Sequence, residues 1–83
     1  MFYTYILKSK NNNSFYVGSC EDLDKRVILH NKGLVRSTKR YIPWILIYKE
    51  EFLDFKNARK RELKIKSWKS RESIENLIIE DSR

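Results

Sequence analysis

The 83-residue chain has little of what defines disulfide-bonded, fibrous or membrane-spanning proteins. A single cysteine, Cys20, excludes a disulfide framework and a zinc site built from several cysteines. Two glycines and one proline exclude collagen-like and low-complexity chains. No apolar run approaches the roughly 18–20 residues of a membrane span, and the N-terminus lacks the pattern of a signal peptide. We therefore expect one small domain over residues 1–83, in a reducing, cytoplasmic setting and without a membrane partner.

Positive charge, by contrast, is in excess. Lys and Arg total 18 against 11 Asp and Glu, for a formal net charge of +7. Such a charge density favours polyanionic partners, nucleic acid first and an anionic membrane surface second. Many small basic proteins are merely soluble, so the charge alone does not assign a function.

Three segments have the composition of β-strands. Residues 2–7 and 15–18 are rich in aromatic and β-branched residues, and an Asn-rich turn separates them, which predicts an antiparallel hairpin. Residues 44–48, after Pro43, form the most apolar run of the chain and predict a third, buried strand.

Helical patterns fill the remaining chain. Asp22 is a predicted N-cap and Gly33 a predicted left-handed residue after the first helix. A basic amphipathic helix of roughly 11–13 residues is predicted from residue 56, and Ser70 is placed to cap a last helix. The stripes that should face the core are Leu23, Val27 and Ile28; Ala58, Glu62, Ile65 and Trp68; and Ile74, Leu77, Ile78 and Ile79. The predicted fold is α+β, a three-stranded antiparallel sheet flanked by helices in the order β-β-α-β-α-α.

Two residues of the first predicted helix suggest chemistry on phosphate. Arg26 and His30 are four residues apart and share one helix face. A guanidinium disfavours protonation of a neighbouring imidazole unless an anion, such as a phosphate, lies between them. The alternative is a solvated helix face on which the histidine is incidental.

Two tyrosines and one acid extend this pattern. Tyr5 and Tyr16 lie on the two hairpin strands and can face the same side, for catalysis or simply for cross-strand packing. Glu62 is the one acid in the basic tract 58–66, where it can pair with Lys66 at i,i+4. A lone carboxylate can also hold a hydrated Mg²⁺. Cys20 is best explained as a structural thiol.

Together these motifs resemble the GIY-YIG nuclease family, in particular its small stand-alone members. The family motifs correspond to Thr4-Tyr5-Ile6, which lacks the first glycine, to Tyr16-Val17-Gly18, and to Arg26 with His30. Residues 43–50 resemble the family's central third strand, and residues 58–66 resemble the helix that carries its glutamate. The chain is thereby similar to the catalytic domains of the excinuclease C subunit, some homing endonucleases and structure-specific nucleases of DNA repair.

The resemblance implies an endonuclease that hydrolyses DNA phosphodiester bonds with one Mg²⁺ or Mn²⁺. Tyr5 and Tyr16 would meet at the site, one as general base and the other as a positioning group. Arg26 would stabilise charge on the phosphate, and His30 would bind a tyrosine or the water and relay a proton. Glu62 would hold the metal. Some members carry a lysine where this chain has Ser19, so the role of that lysine is absent or falls to Lys25.

The basic residues around this pattern are predicted to bind the phosphate backbone of DNA, whether branched, nicked or single-stranded. They are Lys25, Lys32, Arg36, Lys39, Arg40, Lys60 and Lys64. Two other functions stay open: a non-catalytic nucleic-acid-binding module that retains the nuclease fold, and an interaction protein whose basic helix binds an acidic partner.

Overall fold

A computed structural model describes residues 1–81 and shows a three-stranded antiparallel sheet with helices on both faces. Its elements are β1 (Phe2–Ser9), β2 (Phe15–Cys20), α1 (Leu23–Asn31), a 3₁₀ turn (Lys39–Tyr41), β3 (Trp44–Phe52), α2 (Phe55–Ser67) and α3 (Arg71–Asp81). The predicted α+β class and element order are confirmed. Residues 82 and 83, at the end of the predicted domain, lie outside the described residues.

The first strand is the centre of the sheet, whose order is β2-β1-β3. Tyr5 and Leu7 pack with Leu23 of α1 on one face, whereas Ile6 packs with Ile65 of α2 on the other. Because successive strand residues point to opposite faces, a strand covered on both faces buries every side chain, and residues 4–7 are all buried.

The third strand differs from its expectation as a buried, central strand. It lies at the edge of the sheet, and although Trp44 and Tyr48 are buried, Ile45 and Leu46 are 43% and 38% exposed. An apolar run can form a central or an edge strand, and the order of strands depends on long-range pairing that the run does not encode. The prediction that Ile28 and Ile79 belong to the core is also wrong, because each is 53% exposed.

Local capping signals mark the helix ends well. The Asp22 carboxylate accepts a hydrogen bond from Lys25 N at 3.1 Å, and the Ser70 hydroxyl accepts one from Ser73 N at 3.2 Å. Gly33 has φ +74°, as predicted for the residue that ends a helix. An additional cap, Asp54, begins α2.

Two buried polar contacts fix the helices against the sheet. The Thr4 hydroxyl of β1 donates to the Ala58 carbonyl of α2 at 2.6 Å. The Asn31 side chain, at the end of α1, accepts from Trp44 N at 2.6 Å and donates to Trp44 O at 2.9 Å. Within residues 1–81 no helix combines the length and hydropathy needed to cross a bilayer.

Candidate active site

Tyr5 and Tyr16 meet on the face of the sheet that α1 covers. Antiparallel pairing sets Tyr5 opposite Gly18, and the Tyr5 ring occupies the space that a side chain at position 18 would fill. Tyr16, two residues before Gly18, points to the same side, and the two rings are 6.4 Å apart between centroids. The predicted shared face of the two tyrosines is confirmed.

His30 connects this pair to the segment after α1. Its Nε2 lies 2.9 Å from the Tyr5 hydroxyl, and its Nδ1 lies 2.7 Å from the Thr38 hydroxyl, which itself donates to the Val35 carbonyl at 3.3 Å. Since the Thr38 proton is used, Nδ1 carries the imidazole proton and Nε2 accepts from Tyr5. The His30 ring also packs edge-on against Tyr16, at 5.0 Å.

Arg26 places a positive charge beside both phenols. Its guanidinium interacts with Tyr5 and Tyr16, while its Nε is buried and has no hydrogen-bond partner in the described part of the chain. Leaving a buried donor unpaired costs roughly 1–3 kcal/mol. An anionic ligand at Arg26 would remove that cost. The expected position of such an anion between Arg26 and His30 is wrong, because His30 is completely buried and its two ring nitrogens are bonded to Tyr5 and Thr38.

Burial keeps Tyr5, His30 and Cys20 in their uncharged forms near neutral pH. Burial raises the pKa of Tyr5 to about 12, against a smaller lowering by Arg26. Burial and the nearby Arg26 charge lower the pKa of His30 to about 4. Burial likewise raises the pKa of the Cys20 thiol to about 11, so this cysteine is protonated and a poor nucleophile.

Glu62 approaches the pair of tyrosines from α2, around the free edge of β2. Its Oε1 accepts from the Ser19 hydroxyl at 2.5 Å, and its Oε2 accepts from Arg59 at 2.7 Å and Lys66 at 2.5 Å. The Lys66 ammonium is in turn 5.9 Å from the centroid of the Tyr16 ring. The Lys66 ammonium therefore lies between the Glu62 carboxylate and the Tyr16 ring.

Glu62 is only 3% exposed, yet its carboxylate is ionised. Burial would raise its pKa, but hydrogen bonds from Lys66, Ser19 and Arg59 outweigh burial, so the pKa lies below its usual value. The hydrogen bonds from the charged side chains Lys66 and Arg59 are stronger than the one from the neutral Ser19 hydroxyl.

The donor atoms fit a hydrated Mg²⁺ or Mn²⁺. A carboxylate and a neighbouring hydroxyl are hard oxygen ligands, and Mg²⁺ typically needs only one or two protein carboxylates. Within residues 1–81 no group of three or more His, Cys, Asp or Glu side chains could form a closed metal cage. Arg59 and Lys66, which occupy Oε2, are about half-exposed, so water can replace Glu62 as their partner.

The predicted DNA-binding residues are all exposed, but they do not all surround this site. Lys60 and Lys64 lie two positions to either side of Glu62, about 200° around the helix, and line a separate groove with Phe52. Lys25 neighbours Arg26 on α1. The others, Lys32, Arg36, Lys39 and Arg40, follow α1 in the segment that contains Thr38.

Sequence reasoning missed three contributors: Ser19, Thr38 and Arg59. Arg59 precedes Glu62 by three residues, a spacing that brings helix side chains together and could have identified it. Ser19 and Thr38 contact residues that are distant in sequence, and no local pattern marks them.

Comparisons with known proteins show similar chains over most of this length. The GIY-YIG catalytic domain family model matches residues 1–76. A UPF0213 protein of Staphylococcus saprophyticus is 42% identical over 79 residues, covering 94% of each chain, and one of Clostridium perfringens is 40% identical over 67 residues, covering 80% of this chain and 71% of that protein. The solution NMR structure of a UPF0213 protein from Bacillus halodurans superimposes with a TM-score of 0.59 at 31% identity, over 94% of this chain and 83% of that one.

Proposed function

Because this chain belongs to the GIY-YIG family, we propose that it is an endonuclease that hydrolyses DNA phosphodiester bonds with one bound Mg²⁺ or Mn²⁺. The observation that carries the proposal is the buried, unpaired Arg26 Nε beside two phenols. A cation held without an anionic partner in a polar site is suited to a phosphate that arrives with the substrate. The protein would act as the single, cytoplasmic domain that its sequence predicts.

Tyr16 is the general base in this proposal, and Tyr5 is a positioning residue. A base must touch the attacking water, but Tyr5 is completely buried and its hydroxyl is hydrogen-bonded to His30. Tyr16 is only partly buried and lines an open groove. Arg26 and Lys66 both place positive charge near Tyr16.

His30 holds the two tyrosines in place. Its Nε2 fixes the Tyr5 hydroxyl and its ring supports Tyr16, while Thr38 fixes the imidazole orientation through Nδ1. These contacts of His30 hold the reacting groups in a fixed geometry. Arg26 binds the scissile phosphate and stabilises the charge that develops on it.

Glu62, with Ser19 beside it, would hold the divalent cation. When bound, that cation supplies positive charge to the leaving oxygen. Glu62 must exchange its bonds to Arg59 and Lys66 for this role, and both side chains are about half-exposed to solvent.

The test is nicking of supercoiled plasmid with Mg²⁺ or Mn²⁺. We expect Arg26→Gln and Glu62→Gln to lose at least about 10²-fold in rate, while Glu62→Gln still binds DNA. Lys56→Gln is the control, because it removes one exposed positive charge at a residue that belongs neither to this site nor to the predicted DNA-binding set. Equal rates for all four proteins would assign the nicking to a contaminant and contradict the proposal.

Binding without cleavage of any DNA form by the wild-type protein would instead support a non-catalytic nucleic-acid-binding module. The panel for that comparison contains hairpin, flap, nicked and single-stranded DNA, each with and without the divalent cation. Its most rapidly cleaved member would identify the substrate form.

A further inference from the structure

A second feature lies next to the site, at the free edge of β2. It is a groove of about 410 Å³ between β2 and the junction of α2 with α3, called here the junction groove. Tyr16 and Lys66 belong to both the candidate site and this groove. The residues that line it are Ser14, Phe15, Tyr16, Val17, Ile65, Lys66, Lys69, Ser70, Arg71 and Ile74.

The charge of the junction groove is of one sign. Lys66, Lys69 and Arg71 line it, and no carboxylate is among its described lining residues. The groove beside Met1 has the opposite character, since Glu21, Asp22 and Asp24 line it. A polyanion that reaches Tyr16 is therefore attracted along the junction groove and repelled from the Met1 side.

Lys69 occupies a backbone position that disfavours lysine. It follows α2 with φ +48°, in the left-handed region where glycine is the usual residue and where a side chain strains the backbone. Within residues 1–81 its ammonium has no ion-pair partner. A residue in a strained backbone conformation whose charge has no ion-pair partner is a candidate for a function outside folding.

Arg71 is held in place at the rim of the same groove. Its guanidinium lies 4.3 Å from the centroid of the Phe15 ring and donates through Nη1 to the Asn13 carbonyl at 2.8 Å. Its Nε is 3.8 Å from Glu75, an exposed pair that adds little. A cation fixed in this way loses little further side-chain entropy when a ligand binds.

We propose that the junction groove binds the DNA strand that adjoins the scissile phosphate, with Lys69 and Arg71 on its phosphates. The partly exposed Phe15 and Ile74 in the groove lining offer an apolar surface for sugars and base faces, as grooves that bind single strands do. This subsite rests on the proposed nuclease function and adds to it the path of the bound strand.

The experiment uses Lys69→Gly, which removes the charge and relieves the backbone. Lys49→Gln, on β3 at the acidic Met1 groove, is the control that also removes one positive charge. Affinity is measured by fluorescence anisotropy with a labelled single-stranded oligonucleotide over a range of salt concentrations, and stability by urea unfolding.

We expect Lys69→Gly to be more stable than wild type and yet to bind about fivefold to tenfold more weakly near 0.1 M salt, with a salt slope reduced by roughly one phosphate contact. Lys49→Gln should bind nearly as wild type does. Opposite changes in stability and affinity cannot arise from loss of folding.

Equal losses of affinity in both variants, or unchanged binding by Lys69→Gly, would overturn the junction groove while leaving the nuclease proposal intact. A wild-type protein that neither binds nor cleaves DNA would remove both, and so the two failures are distinguishable.

Discussion

Gly18 lies directly beneath the Tyr5 phenol, and a Cβ built at Gly18 would be 2.5 Å from the Tyr5 hydroxyl oxygen. The glycine of the Tyr16-Val17-Gly18 motif is therefore required by the neighbouring strand rather than by its own backbone angles. Tyr5 cannot move away freely because it is completely buried and bonded to His30.

Gly18→Ala should consequently displace Tyr5 and disorganise the site. We expect a loss of about 1–3 kcal/mol in the free energy of unfolding, typical of overpacking, and a reduction in nicking rate of more than about tenfold. Gly18→Ala with Tyr5→Leu tests the cause, because the Tyr5 ring carbon Cζ is also only 2.6 Å from that Cβ, and removing the end of the ring together with the hydroxyl should recover part of the stability. Additive losses in the double variant would contradict the steric explanation.

Substitution of the two tyrosines by phenylalanine should affect different properties of the protein. Tyr16→Phe is expected to lower kcat by at least about 10²-fold across the pH range, since it removes the base. Tyr5→Phe should instead lower stability by about 1–3 kcal/mol, because His30 Nε2 is left without its donor, and keep the shape of the pH–rate profile. A changed profile in Tyr5→Phe and an unchanged one in Tyr16→Phe would reverse the two roles.

His30 should make the stability of the protein depend on pH. The unfolded chain takes up a proton near pH 6.5, but the folded chain does so only near pH 4, so stability is complete above about pH 7 and falls as the pH drops. Between pH 7 and 5 we expect a loss of about 2 kcal/mol in urea unfolding.

His30 is the one histidine in the sequence, which makes the assignment direct. His30→Gln should lack most of this pH dependence. An NMR titration of the wild-type imidazole gives an independent reading, and a midpoint near 6.5 in the folded protein would refute the prediction.

Lys66 should compete with a divalent cation for Glu62. Lys66→Met removes the charge bonded to Oε2, so Mn²⁺ should bind the DNA-free protein about threefold to tenfold more tightly, as measured by electron paramagnetic resonance. Lys64→Met, on the opposite side of α2, is the control and should leave Mn²⁺ affinity unchanged. Weaker binding in Lys66→Met would mean that the lysine assists the metal.

Asn31, the last residue of α1, should contribute more to the free energy of unfolding than its place at a helix end suggests. Asn31→Ala removes both hydrogen bonds to the Trp44 backbone, and we expect a loss of about 2 kcal/mol in thermal or urea unfolding. Asn57→Ala, which removes an exposed contact with Asp54, should change stability by less than about 0.5 kcal/mol. Similar effects at both positions would contradict a stabilising role for the two Asn31–Trp44 hydrogen bonds.

Much of this protein follows from its sequence alone, because the deciding interactions are local. Capping by Asp22 and Ser70, the left-handed Gly33 and the shared face of the two tyrosines depend on residues within a few positions or within one hairpin. The pairing of Glu62 with Lys66 depends only on helical spacing.

Tertiary structure alone decided which strand is central, that Ser19 and Thr38 complete the site, and that Lys60 and Lys64 turn away from Glu62 while Lys66 and Lys69 reach the groove at Tyr16. It also distinguished a buried Tyr5 from an accessible Tyr16. These relationships join residues that are far apart along the chain, and they arise when strands pair and helices cover the sheet, a step that no local residue pattern encodes.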